Sequence, residues 1–517
     1  MRKIHHARVL DFTSWLMWFI LAFLVLAPII YLLVQATQLP INEIQVILTR
    51  THTWMRVVSS LGLVVSVLLC SWLIALPLAL SLLVFDEQAR KWITLIALLP
   101  LGIPGYVLAY SFATMGGPYG ASAQLLGIML PNIRGFWGAT LALSLYNFPY
   151  LFLTLATGFQ KVGRARFEVA LTLGCSPWQA IAQVLLPCVR TGSIAGSLMI
   201  SLYVLGDFGV ASLMRVDTLS YAIFVNWSQP EYASWLALLL CAQSIFILWI
   251  VKYLEQHQHE VSHAHASGMQ WIPMHWIWRI SIISLSTFLV FLAFLMPVFN
   301  TIYCLTWEAW QLVQDLLWQA TWQAVQLAFV AALIQVSVAL WFVLWVGKQA
   351  MGWRIWVSRL GYALPPLSIA LGFVFMSLKG WDALREGWGL VLMAYLTHSL
   401  LLALGPIQSA FEQWRPQWKE AALSLGASRW RVLWSITLPH LKTGIAVAWA
   451  LSVLAVMKEL PLSKLLLPAG SRTLALEAWS FADEGLYDQA APFALTLMLL
   501  SVCTAYFSLT KAWRQFQ

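Results

Sequence analysis

Charge is scarce in this chain. Asp, Glu, Lys and Arg make up 10% of its 517 residues, against 61% hydrophobic, and the mean hydropathy is +0.77. A soluble domain carries about a quarter charged residues, so that class is excluded. Cysteine is sparse as well. Cys70, Cys175, Cys188, Cys241, Cys304 and Cys503 form no C-x-x-C pair, and most fall in apolar runs. This excludes a disulfide frame and a cysteine zinc site and leaves free thiols or small core residues. No G-x-x-x-x-G-K-[ST] loop occurs, so no phosphate cradle of that kind exists in the chain. His398 lies within an apolar run and Asp382 near one, but no histidine or carboxylate set has active-site spacing. That argues against a membrane enzyme and leaves His398 as a packing residue. No filter or polar pore stripe points to a channel.

What is present is apolar length. Runs of about 20 residues, enough to cross a bilayer, recur near Trp15–Leu33, Val57–Val84, Trp92–Phe112, Phe136–Phe159, Ser193–Leu213 and Trp235–Val251. They recur again near Ile277–Ile302, Thr321–Val346, Trp356–Met376, Leu390–Phe411, Ile445–Leu466 and Pro492–Leu509. The pattern predicts an all-α polytopic membrane protein of about twelve spans, six in each half. The 30 Trp and 15 Tyr suit interfacial belts. Met1 to Arg8 is basic, and the run after it is long with no clear cleavage site, so it reads as a retained first helix. With the N-terminus inside, roughly 21 bases face the cytoplasm and 9 face out. The net charge of +9 is thus explained by orientation and needs no nucleic acid.

One stretch occurs twice. Phe167-Glu168-Val169-Ala170-Leu171-Thr172-Leu173-Gly174-Cys175-Ser176-Pro177-Trp178 leads to Leu186-Pro187. Lys419-Glu420-Ala421-Ala422-Leu423-Ser424-Leu425-Gly426-Ala427-Ser428-Arg429-Trp430 leads to Leu438-Pro439. The copies match without a gap, so the unit is duplicated. Each predicts two short helices. Gly174 and Gly426 close the first, where a left-handed residue is needed. Ser176 and Ser428 cap the second, and Pro187 and Pro439 are expected to end it. The domain reading follows: residues 1–252 and 275–517 as two membrane halves, with 253–274 as a cytoplasmic linker. That linker holds His257, His259, His263 and His265, which could share an ion, but no carboxylate or cysteine cluster completes a site. It reads as a solvated connection.

The paired Glu-x-Ala-x-x-x-Gly hairpins, each followed by Leu-Pro, resemble the coupling loops of ABC importer permeases. Pro100-Leu101-Gly102-Ile103-Pro104-Gly105-Tyr106, Gly135-Phe136-Trp137-Gly138 and Tyr203-Val204-Leu205-Gly206-Asp207-Phe208-Gly209 resemble the ferric-iron type with two fused halves. So do Gly361-Tyr362-Ala363-Leu364-Pro365 and Val456-Met457-Lys458-Glu459-Leu460-Pro461. The resemblance covers nearly the whole chain and implies a type I importer fold in a bacterial inner membrane. It implies a non-enzymatic transport subunit that binds no cofactor, with ATP held by a separate ATPase. Two ATPase copies would dock through Glu168, Ala170, Gly174, Pro187, Glu420, Ala421, Ala422, Gly426 and Pro439. A periplasmic or lipoprotein binding protein would deliver ferric iron outside. Related permeases carry thiamine, sulfate, molybdate, polyamines or phosphonates, and a secondary transporter is the rival with internal repeats. Val169 departs from the pattern, where alanine is usual, and this weakens the expected docking of the first loop.

Further matches extend beyond the loops. Leu99-Pro100 echoes Leu364-Pro365. Asp207 matches Glu459 at the offset of the repeat, and Thr218 matches Thr473 and Tyr232 matches Tyr487 after a three-residue insertion. A carboxylate at the end of a span is costly unless paired, solvated or beside a pathway. Asp207, Glu459 and neighbouring Lys458 are therefore the candidate pathway residues. The structural alternative is that Lys458 pairs with Glu459 and that both acids hold helix ends.

Overall fold

The computed structural model describes residues 2–118, 120–162, 164–256, 276–346, 359–378, 382–414 and 416–513. The four linker histidines lie outside the described residues. Every regular element among the described residues is helical. An apolar chain in lipid has no water to satisfy its amides, and a helix satisfies them within the segment.

In the first half the principal helices are α1 (Arg2–Ala36), α2 (Thr51–Ser81), α3 (Glu87–Leu98), α4 (Gly105–Met115) and α5 (Gly135–Val162). They continue with α6 (Arg164–Thr172), α7 (Pro177–Ala180), α8 (Leu186–Gly206), α9 (Gly209–Leu213), α10 (Leu219–Val225) and α11 (Pro230–Gln256). The second half has α12 (Trp276–Val290), α13 (Met296–Cys304), α14 (Trp307–Val346), α15 (Pro366–Ser377) and α16 (Gly389–Glu412). It ends with α17 (Pro416–Ser424), α18 (Arg429–Val432), α19 (Leu438–Lys458), α20 (Pro461–Leu466), α21 (Leu474–Asp483) and α22 (Tyr487–Trp513).

Among the described residues, 9 helices are long and apolar enough to cross a membrane, and up to 11 if each bent pair is one span. All but one of the expected spans fall on these. The remaining one, Trp356–Met376, is described as the 12-residue helix α15, with Pro365 at its N-cap. The other departures also have local causes. The expected span Trp92–Phe112 is two helices meeting at 84°, separated by a 3-10 turn at Leu99–Gly102 and by Pro104 at the N-cap of α4. Pro104 and Pro365 are thus the structural counterparts, rather than Pro100 and Pro365. The expected spans Ser193–Leu213 and Ile445–Leu466 do not run through. They stop at Gly206 and Lys458, and a short helix follows each.

The expectation that Pro187 and Pro439 end a helix is corrected. Five-residue π turns, Ile181–Leu185 and Leu433–Thr437, carry the chain from α7 into α8 and from α18 into α19. Proline lacks an N–H, and its ring collides with the carbonyl four residues back. Widening the helix just before it relieves the clash. Leu186 N–H therefore donates to Ile181 O, and Leu438 N–H to Leu433 O. The same device stands between α12 and α13, one residue before Pro297.

The halves share a packing scheme. In the first, α5 lies against α2 and α8; in the second, α16 lies against α14 and α19. They also interlock. The short helix α4 packs on α13 and α22 of the other half, and α15 packs on α1 and α11. Tyr110 Oη donates to Thr301 Oγ1 at 2.7 Å, and Trp479 Nε1 to Ser212 Oγ at 3.0 Å, across that boundary.

Candidate functional site

The ends of α8 and α19 meet at a central cavity of about 170 Å3. Asp207, Lys458 and Glu459 all line it. Each acid is the residue after a 21-residue helix. Both backbones turn extended there, with φ −76° and ψ 121° at Asp207 and φ −68° and ψ 118° at Glu459. The next helices of each half are also built alike. Thr218 Oγ1 accepts from Tyr221 N at 3.2 Å, and Thr473 Oγ1 from Leu476 N at 3.3 Å.

The side chains differ where the backbones agree. Asp207 Oδ1 accepts from Val210 N at 2.8 Å, so this acid caps α9. Glu459 Oε1 is buried without a hydrogen-bond partner. Lys458 does not pair with it. The ammonium donates to the carbonyl of Leu101 and sits 5.9 Å from the centre of the Tyr146 ring. The expected alternative for Glu459, an ion pair with Lys458, is therefore absent from the described contacts. Helix capping accounts for part of the environment of each acid, Leu462 N facing the Glu459 carboxylate as Val210 N faces Asp207, but it leaves Glu459 Oε1 without a partner.

The rest of the wall is aromatic and hydroxylic. Tyr106, Tyr146, Tyr150, Tyr203 and Tyr362 all contribute. Tyr146 and Tyr203 approach to 4.9 Å between ring centres. The Tyr106 hydroxyl is buried with no partner. His398 also reaches the cavity, stacks on Tyr362 at 5.5 Å, and keeps Nδ1 without a hydrogen bond. The sequence alone read His398 as a packing residue, held Tyr106, Tyr203 and Tyr362 only within longer matching stretches, and did not single out Tyr146 or Tyr150. With the two acids ionised and the lysine protonated, the formal charge of the wall is negative by one, and phenol, carboxylate and imidazole atoms are available to a cation.

The duplicated hairpins form the second feature. Gly174 has φ +90° and Gly426 φ +84°. Cys175 N donates to Ala170 O and Gly174 N to Leu171 O, each at 3.0 Å. Ala427 N to Ala422 O and Gly426 N to Leu423 O repeat the pattern at 3.0 and 3.1 Å. This is the Schellman closure, and it gives Ala170 and Ala422 a defined place as carbonyl acceptors. Ser176 and Gln179 cap reciprocally, with Gln179 N to Ser176 Oγ at 3.3 Å and Ser176 N to Gln179 Oε1 at 2.9 Å. Ser428 Oγ accepts from Arg431 N at 3.2 Å, without the reciprocal partner. Glu168, Glu420, Ala421, Pro187 and Pro439 are all exposed. So are Leu173 at 79% and its counterpart Leu425 at 88%. A leucine held out at the same point of both hairpins is an apolar contact awaiting a partner.

A helical membrane chain with a charged cavity between two interlocked halves, and a matching exposed hairpin on each, is a transport subunit. Residues 68–260 and 355–515 both match the family described as "Binding-protein-dependent transport system inner membrane component". The chain is 25% identical over 496 residues to the Fe(3+)-transport system permease protein FbpB 2 of Haemophilus influenzae, covering 92% of this chain and 93% of that protein. It is 32% identical over 173 residues to the molybdenum transport system permease protein ModB of Azotobacter vinelandii, covering 31% of this chain and 76% of that one. Over 188 residues it is 27% identical to the putative 2-aminoethylphosphonate transport system permease protein PhnV of Salmonella typhimurium, 36% of this chain and 70% of that one. The chain belongs to the binding-protein-dependent inner membrane component family and is a multi-pass permease of an ABC importer. An ATPase subunit and a substrate-binding protein are the partners this family implies.

Proposed function

We propose that this permease moves ferric iron inward from a periplasmic binding protein, driven by ATP on two copies of a separate ATPase. The observation that carries the reading is the cavity wall, where two carboxylates and five tyrosines face a single lysine. Carboxylate and phenol oxygens are hard donors that suit a hard trivalent cation. An oxyanion such as molybdate would meet a wall of its own sign. The full-length likeness to an iron permease points the same way.

The halves, 1–252 and 275–517 with the linker between, supply the mechanics. Glu168, Ala170, Gly174 and Pro187 on one side, and Glu420, Ala421, Ala422, Gly426 and Pro439 on the other, form the ATPase docking loops. With the N-terminus cytoplasmic, both loops face the ATPase. Each loop continues through a π turn into a helix of 21 residues, which in the first half is bent by 59° between Arg190 and Gly192. That helix ends at the acid. Closure of an ATPase dimer moves the loops together, and these helices carry the motion to Asp207 and Glu459. Rocking of the halves then opens the cavity to alternate sides.

Lys458 favours a second reading, a cargo that carries both charges, such as an aminoalkylphosphonate. Uptake decides between them. The permease is expressed with its ATPase and binding protein in cells lacking other iron import. Labelled ferric iron should enter in an ATP-dependent way and resist competition by 2-aminoethylphosphonate. Absence of iron uptake together with ATPase stimulation by a phosphonate-loaded binding protein would replace iron with the zwitterion.

A further inference from the structure

The position before each acid differs sharply between the two copies. It is Gly206 in the first half and Lys458 in the second. A Cβ on Gly206 would meet Pro366 Cδ at 2.7 Å, so the first half has no room for a side chain there. In the second half a long cationic chain leaves the same backbone position and crosses to the first half. Its ammonium ends at the carbonyl of Leu101 and beside the Tyr146 ring. It lines the same cavity as both acids, yet among the described contacts its hydrogen bond goes to the Leu101 carbonyl and to neither acid. Glu459 Oε1 and the Tyr106 hydroxyl, the latter on a residue 4% exposed, are left without partners in that cavity. A buried oxygen without a partner is costly, and two beside a cavity that also holds a tethered cation mark a place for a ligand.

We infer that Lys458 is a tethered counter-cation that sets how strongly the cavity holds its cargo. This rests on the reading of the cavity as a cation site. In the empty cavity the ammonium lowers the wall charge from two negative to one. A carbonyl and a ring hold it less firmly than a carboxylate would, so it can withdraw when a multivalent cation seats against Asp207 and Glu459. Without it the acids would bind a cation too tightly to release it. Conduction through a binding site needs affinity that is sufficient for entry and low enough for exit.

The test uses the full-length permease in lipid nanodiscs with Tb3+ as probe, a hard trivalent ion excited through nearby aromatic rings. Wild type should show one saturable site that Asp207→Asn with Glu459→Gln abolishes. Lys458→Met should bind Tb3+ about tenfold more tightly or better, a change of about 1.4 kcal/mol. Lys458→Gln should do the same if the methionine variant folds poorly. Lys458→Arg should stay near wild type. Iron uptake by Lys458→Met should fall as binding rises. Unchanged or weaker Tb3+ binding in both neutral variants, with the acids still required, overturns the role of Lys458 and leaves the cation site standing. Tb3+ binding that survives loss of both acids overturns the cation site itself.

Discussion

The two ends of the pathway helices share a backbone and differ in chemistry. Gly206-Asp207 closes against Pro366 and caps the next helix, whereas Lys458-Glu459 leaves a cation and an unpaired oxygen in the cavity. The hairpins at the other ends of these helices show the reverse. Their closures repeat bond for bond, and their exposed leucines coincide. On the proposed function, duplication has kept the face that would dock the ATPase and let the faces that line the cavity drift apart. A symmetric partner constrains both copies of its docking surface, while a cargo needs only a suitable sum of ligands.

The largest effect should come from breaking what the halves share. Gly174→Asp with Gly426→Asp places a side chain at φ +90° and +84°, which costs about 1–3 kcal/mol per site, and adds charge beside the exposed Leu173 and Leu425. ATPase co-purification and ATP-dependent uptake should both fall by about a hundredfold or more, with the permease still in the membrane. A variant that retains its ATPase and its uptake would remove the docking role from the hairpins.

The hairpins were legible in the sequence because identity at a fixed offset needs no folding to be seen. The glycine closures and serine caps followed from what a left-handed turn and orphan amides require. The pathway acids were legible for the same reason, being matched. The cavity wall was not. Tyr106, Tyr146, Tyr203, Tyr362 and His398 come from α4, α5, α8, the segment before α15, and α16, and no local pattern joins them. The π turns were also hidden. A proline after a helical run reads as a stop, and only the observed bond from Leu186 N–H to Ile181 O shows that the helix widens and continues. The breaks after Gly206 and Lys458 were masked by hydrophobicity that runs on through the next short helix.

The next effect separates charge from capping at the acids. Asn caps a helix about as well as Asp, so Asp207→Asn keeps the bond to Val210 N and removes only the charge. Glu459→Gln likewise keeps a side-chain oxygen for the Leu462 amide. Each should lower iron uptake by about tenfold or more if the charges serve the cargo, with little change in melting temperature. Asp207→Ala should lose uptake and also about 1 kcal/mol of stability, seen as a lower Tm. Wild-type uptake in Asp207→Asn combined with Glu459→Gln would reduce both acids to structural roles.

The smallest effect probes how equal the hairpins are. Val169 stands where the second copy has Ala421, and it is 56% exposed. A β-branched residue is stiff at χ1 and slightly less favourable in a helix, by a few tenths of a kcal/mol. It also puts two extra methyl groups on the face beside Glu168. Trp430 is matched by Trp178, but the second hairpin adds Trp434, 65% exposed, where the first has Ala182, and aromatic anchors of this kind dominate contact energies. Both differences point to tighter docking by the second loop. Glu420→Ala should therefore weaken ATPase binding more than Glu168→Ala, by about threefold, and Val169→Ala should strengthen it by about twofold. Titration of the purified ATPase onto each variant in nanodiscs would measure this. Equal losses in the two glutamate variants would mean that the apolar surround leaves docking symmetric, and that the divergence between the halves is confined to the cavity.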